Sequence, residues 1–338
     1  NSLAEETIVQ NNYDDLGQLI SKAVGGKTTQ GRLQNVDYTY NVRGWLKQIN
    51  NPTTLGNDLF SFKISYNTNN HGGTNLFNGN IAETEWKSAN TDNSLKWYRY
   101  TYDALNRITS GIDNTTNQDY KLQSIAYDKN GNILHLNRKG HLDASASTFG
   151  DMDKLSYRYE NTGNKLLAVT DAGTEQGFKD GNTGGDDYAY DDNGNMTLDK
   201  NKKITNIAYN YLNLPTKISF TFTDDPNKLS EGSIDFVYDA AGIKLAKKVS
   251  QKGLVDTYDD KSTFDGGNFI YKGTANAKEL VFFNHAGGYL EPKNNEFTYV
   301  YQYKDLVGNV RLAYADSTGD GTITQDEIKE ENNYYPFG

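Results

Sequence analysis

The chain has 338 residues, and only 36% are hydrophobic even with its 25 tyrosines counted in, a supply too thin for a thick spherical core. A formal net charge of -10 repels phosphate backbones and anionic lipid headgroups, which argues against nucleic-acid binding and membrane-surface binding. There is no cysteine, so disulfides, thiolate metal sites and cysteine nucleophiles are excluded, and no apolar run reaches the roughly 18–20 residues that insert across a bilayer. Recurrent, patterned aromatics exclude disorder as well.

The N-terminal residues, Asn1 to Glu6, have no basic, apolar or cleavage-site regions of a signal peptide, and the chain is expected to be a fragment of a longer protein. From there a short unit recurs: a strand ending in Tyr-Asp, a turn with Gly or Asn, and an aliphatic residue opening the next strand. In chain order its copies begin at Tyr13-Asp14, Tyr40-Asn41, Tyr102-Asp103, Tyr127-Asp128, Tyr159-Glu160, Tyr190-Asp191 and Tyr238-Asp239. Gly and Asn take positive φ at small cost, and the Asp carboxylate accepts bonds from turn amides, so each copy predicts a β-hairpin.

Between turns the period is two. Ile218, Phe220 and Phe222 alternate with Ser219, Thr221 and Thr223, and Phe297, Tyr299, Tyr301 and Tyr303 alternate with Thr298, Val300 and Gln302. One face is aromatic and the other mostly polar, which predicts an all-β array of hairpins with thin walls. The polar stretches 67–75 and 180–187 are expected to be loops between hairpins, the latter a mobile one, because the repeat resumes beyond each. The best helical candidate is the short run 326–331.

The Tyr-Asp-x-x-Gly-Asn units resemble the YD repeats of Rhs proteins and their teneurin relatives, and they cover most of the chain. The stretch Tyr301-Gln302-Tyr303-Lys304-Asp305-Leu306-Val307-Gly308-Asn309-Val310-Arg311-Leu312 resembles the start of the Rhs repeat-associated core. The end, Glu331-Asn332-Asn333-Tyr334-Tyr335-Pro336-Phe337-Gly338, is similar to the Bacteroidota form of that core, with Tyr335 where Asp often stands. The resemblance divides the chain into a YD-repeat segment, 1–296, and the start of the core, 297–338. It implies a β-sheet spiralling into a hollow shell, a β-cocoon, around a C-terminal effector or toxin released by self-cleavage. The cleavage aspartates of the family fall beyond Gly338, so no catalytic residue is assigned. Implied partners are the protein's own C-terminal effector and a bacterial secretion machinery, the type IX route among them, with a secreted or cell-surface location.

The sharpest local motif is the 12-residue run Asp316 to Glu327. It has the spacing of an EF-hand-type calcium loop, with Asp316, Thr318, Asp320, Thr322, Thr324 and Glu327 at positions 1, 3, 5, 7, 9 and 12. Gly321 allows the sharp turn at position 6, Thr322 offers its carbonyl, and Ile323 is placed to anchor the loop on the core. Thr318 departs from the usual Asp, Asn or Ser and no clear helix precedes the loop, so a structural Ca2+ and an ion-free Asp-Gly hairpin insertion both fit.

Other chemistry is absent from the pattern. The histidines His71, His135, His141 and His285 form no i, i+4 pair, and acidic pairs such as Asp14-Asp15 and Asp191-Asp192 recur with the turns, whereas a catalytic pair occurs once. The glycine-rich run 264–268 lacks the Lys-Ser/Thr ending of a phosphate loop. The expectation is a structural shell and no enzyme; the alternative is a surface adhesin whose exposed tyrosine faces bind a glycan or protein.

Overall fold

The computed structural model describes residues 7–26, 31–115, 119–225, 228–252, 258–266, 268–273, 277–293 and 296–336, with the side chains of 222–230 and 251–267 left aside. The expectations for Phe222, Thr223, Gly267 and the terminal residues 1–6 and 337–338 lie outside these. The described residues form strands and one 3-10 turn, with no α-helix among them.

They fall into two compact units, residues 1–124 with 284–338, and residues 125–283. Unit 1 opens with β1 (Val9–Tyr13), β2 (Leu19–Val24), β3 (Gln34–Tyr40), β4 (Leu46–Ile49), β5 (Phe60–Ser65), β6 (Glu83–Ser88), β7 (Lys96–Tyr102) and β8 (Ile108–Asp113). After β9 (Leu122–Tyr127), unit 2 holds β10 (Ile133–His141), β11 (Phe149–Tyr159), β12 (Leu166–Asp171), β13 (Tyr188–Tyr190), β14 (Met196–Asp199) and β15 (Ile204–Tyr209). It continues with β16 (Pro215–Asp225), β17 (Lys228–Tyr238), β18 (Lys244–Lys252), β19 (Tyr258–Gly266) and β20 (Phe269–Gly273). After β21 (Lys278–His285), unit 1 is completed by β22 (Gly288–Lys293), β23 (Glu296–Lys304), β24 (Val310–Tyr314) and β25 (Ile328–Glu331). Within each unit the strands pair antiparallel with their chain neighbours, as the repeat predicts, except at β12 and β13, where one sheet ends and the next begins.

The turns explain the Asp. In the first, Asp14 Oδ1 accepts the amides of Leu16 at 2.9 Å and Gln18 at 2.8 Å, and the Gly17 amide closes on the Asp14 carbonyl. Asp103, Asp128, Asp191, Asp239 and Asp305 repeat the pattern at i+2 and i+4, and Asn41 and Asn210 perform it with an amide oxygen. The fourth residue of these turns has positive φ, supplied by Gly17, Gly131 or Gly194 and by Asn106 or Asn213. A register shift immediately precedes the repeat tyrosine, so Tyr40 faces Leu46 and Tyr102 faces Ile108.

The tyrosine has its own reason. Tyr40 Oη donates to the Leu19 carbonyl at 2.9 Å, Tyr66 Oη to the Leu46 carbonyl at 3.0 Å, and Tyr159 Oη to the Ile133 carbonyl at 3.0 Å. Tyr190, Tyr209 and Tyr238 do the same to Leu166, Met196 and Pro215. Each ring lies along the wall while its hydroxyl ties a hairpin to the residue that opens the second strand of the preceding one.

Unit 1 owns the larger core. Phe60, Phe62, Ile64, Trp86 and Tyr98 from β5 to β7 pack against Tyr301, Tyr303, Leu312 and Tyr314 from β23 and β24. Polar ties fasten the two segments: Tyr303 Oη donates to Gln34 Oε1 at 2.7 Å, and Trp86 Nε1 to Asn333 Oδ1 at 2.6 Å. Arg311 is buried, with its guanidinium 4.9 Å from the Trp86 ring centre and 5.6 Å from those of Phe60 and Phe62. It pairs with the Asp305 carboxylate at 3.6 Å and donates to the Asn332 carbonyl at 3.1 Å. Unit 2 has a thinner core, one cluster of which gathers Leu155, Val169 and Tyr188.

Two local expectations are corrected. The run 326–331 is a 3-10 turn, Gln325–Glu327, followed by β25, because the Glu327 carboxylate folds back onto the Thr324 amide and Ile328 onward pairs with β24. The stretch 180–187 is tethered rather than a free polar loop: Asp187 is fully buried, accepting the Val169 amide at 2.7 Å and the side-chain amides of Asn182 and Asn201.

Candidate metal centre

The run 316–327 forms one loop between β24 and β25, closed at its base by the Ala315 amide on the Glu327 carbonyl at 3.1 Å. Gly319 and Gly321 take positive φ, as the sharp turn requires. Ile323 packs on the unit 1 core as its position in the motif predicts.

The carboxylates are held by the loop itself. Asp316 Oδ1 accepts the Gly319 amide at 2.6 Å and Oδ2 accepts the Gly321 amide at 3.0 Å. Asp320 Oδ1 accepts the Thr322 amide and hydroxyl at 2.8 and 2.7 Å, which lowers its pKa. Glu327 is the hub: Oε1 accepts the amides of Ser317 and Thr318 at 2.8 and 3.0 Å, and Oε2 accepts the amide and hydroxyl of Thr324 at 3.0 and 3.1 Å. Burial pushes the Glu327 carboxyl up, but these donors outweigh it and bring it down to about 2.

All six predicted ligands therefore share one loop, and its donor chemistry, carboxylates with hydroxyl and carbonyl oxygens, is that of a hard cation site. The three carboxylates are drawn onto backbone amides and do not converge on a common point. Among the described residues, the one group of three acidic or imidazole side chains that does converge is His71, Glu83 and Glu85. Sequence reasoning missed it because His71 lies in an irregular loop and its partners look like ordinary strand carboxylates; the i, i+2 spacing of Glu83 and Glu85 was the only signal.

No family model matches the chain, and no curated protein matches it. Solved structures do. The crystal structure of TcdB2-TccC3 aligns over 98% of this chain and 17% of its own, at 14% identity and a TM-score of 0.58. The form of TcdB2-TccC3 without its hypervariable C-terminal region gives 13% identity, the same coverage and a TM-score of 0.59. The Photorhabdus luminescens Tc holotoxin pore aligns over 98% of this chain and 18% of its own, at 14% identity and a TM-score of 0.53. The chain thus spans about a sixth of the length of the proteins it resembles, and it has an Rhs-like fold. No helix among the described residues is long and apolar enough to cross a membrane.

Proposed function

We propose that the chain is a wall segment of an encapsulating shell of the Rhs type, which encloses and protects a C-terminal effector or toxin outside the cell. The observation that carries this reading is the likeness to TcdB2-TccC3 over 98% of the chain, and the YD repeats and core-like C-terminal stretch read from the sequence support it. Its role is structural and not catalytic. The finer reading, a Bacteroidota protein exported by a secretion machinery such as the type IX system, rests on the C-terminal motif. Cryo-electron microscopy of the complete polypeptide is the test: a closed wall around extra density is expected, and a solid β-fold without a cavity would overturn the reading.

The adhesin alternative loses its main support. Among the described large hydrophobics that are exposed, only Tyr13 and Tyr211 are tyrosines, so most described tyrosine rings are at least partly covered.

The loop 316–327 is proposed to take Ca2+ with Asp316, Thr318, Asp320, Thr322, Thr324 and Glu327, the ion replacing amide donors on the carboxylates and stiffening the loop. Isothermal titration with Ca2+ should show one site that Asp320→Ala removes; an unchanged isotherm in that variant would refute the assignment.

A further inference from the structure

The loop between β5 and β6 is pinned over the sheet by a buried carboxylate. Glu83 is fully buried; its Oε1 accepts the amides of His71 and Gly73, each at 2.9 Å, and its Oε2 accepts the amide of Asn70 at 2.8 Å. A carboxylate has about four acceptor positions, so three amides leave one on Oε2. Glu85, two residues along β6 and therefore on the same face, is 2% exposed.

His71 is placed by three independent contacts. Its amide is held by Glu83, its carbonyl accepts Arg99 Nη1 at 3.0 Å, and its ring stacks on Trp97 with centres 4.4 Å apart and planes 9° from parallel. This presents Nε2 toward Glu85 Oε1 at 3.5 Å. Nε2 is buried and has no hydrogen-bond partner. An orphaned imidazole nitrogen facing two buried carboxylates is costly as a purely structural arrangement.

We propose that His71 Nε2, Glu83 and Glu85 form a binding site for a divalent transition-metal ion, of which Zn2+ is the natural occupant. One imidazole and two carboxylates are a donor set that such ions accept, leaving a fourth position for water. The three ligand atoms lie within 4.8 Å of one another. Tetrahedral bonds of ~2.1 Å put neighbouring ligands about 3.4 Å apart, close to the 3.5 Å between Nε2 and Oε1. The remaining closure is within reach of a side-chain adjustment. The competitor is Lys63, whose Nζ lies 2.9 Å from Glu85 Oε1, an atom that also accepts Asn70 Nδ2 at 2.7 Å. Lys63 is 27% exposed and gives way toward solvent when the ion enters, leaving two carboxylate charges against the ion's two. The metal then clips the loop to the sheet.

The test uses the whole chain titrated with Zn2+ by calorimetry and with Co2+ by absorption and tryptophan fluorescence. One Zn2+ site is expected, with tetrahedral Co2+ bands and quenching of Trp97. His71→Asn and Glu85→Gln should weaken binding at least about a hundredfold and abolish the quenching. Lys63→Met removes the competitor and no ligand, and should tighten binding. Failure of the parent chain to bind, His71→Asn binding as well as the parent, or Lys63→Met weakening the site would each overturn the proposal.

Discussion

Replacing Arg311 with Met tests what holds the two segments of unit 1 together. The Arg311 side chain is 5% exposed, its guanidinium faces the Phe60, Phe62 and Trp86 rings, and it pairs with an Asp305 side chain that is itself only 7% exposed. Removing one member of a buried pair costs about 3–5 kcal/mol. Asp305 keeps the amides of Val307 and Asn309 and the side-chain amide of Asn309, and Met refills most of the aliphatic volume, so the low end, about 3 kcal/mol, is expected. All three tryptophans, Trp45, Trp86 and Trp97, lie in unit 1, so fluorescence excited selectively at tryptophan during urea unfolding reports this unit alone. With a slope of about 3 kcal/mol/M the midpoint falls by about 1 M. Arg311→Lys should recover little, since an ammonium lacks the planar face that stacks on the rings. A loss below about 1 kcal/mol for Arg311→Met would refute the view that this cation joins the segments.

Three further outcomes follow from the turns and the packing. Asp128→Ala should speed hydrogen exchange at the amides of Asn130 and Asn132, which the carboxylate now accepts at 2.8 Å each, whereas Asp128→Asn should leave both protected, as Asn41 and Asn210 do the same work in their own turns. Glu327 has a folded pKa depressed to about 2, so its ordering of the loop is complete above the unfolded value of about 4.3 and is lost as pH falls toward and through 2; amide spectra of Thr318 and Thr324 should hold steady from pH 7 to 5 and change below. Gly111→Ala places a Cβ 2.5 Å from Pro336 Cγ and should cost about 1–3 kcal/mol in the same urea assay, with no loss if the C-terminal segment yields freely.

The hairpins were legible because their information is local: a Tyr-Asp followed by Gly or Asn names the turn acceptor, the positive-φ position and the register shift within seven residues. The covered Tyr301 and Tyr303 of β23 were legible too, from the period of two. The face-to-face packing of β5 and β6 on β23 and β24 was not, because it joins residues about 250 positions apart and no single segment encodes its partner. The run 326–331 misled because its acidic residues satisfy helix propensity, while the Thr324 amide captures Glu327 and β24 offers a free edge to Ile328. Asp187 and the cluster of His71, Glu83 and Glu85 were hidden for another reason. A buried carboxylate has the same letter as a solvated one, and only the surrounding amides distinguish them.

The two-part construction of unit 1 also sets an order of events during synthesis. The strands bearing Phe60, Phe62 and Trp86 leave the ribosome long before Leu312 and Tyr314. At ordinary elongation rates the wait is about ten to fifty seconds. In that interval the hairpin turns close, being local, but the aromatic face has nothing to cover it and presents a sticky surface to neighbouring nascent chains. The C-terminal strands are thus the step that makes the newborn chain safe, and truncation ahead of them leaves a product for chaperones and proteases.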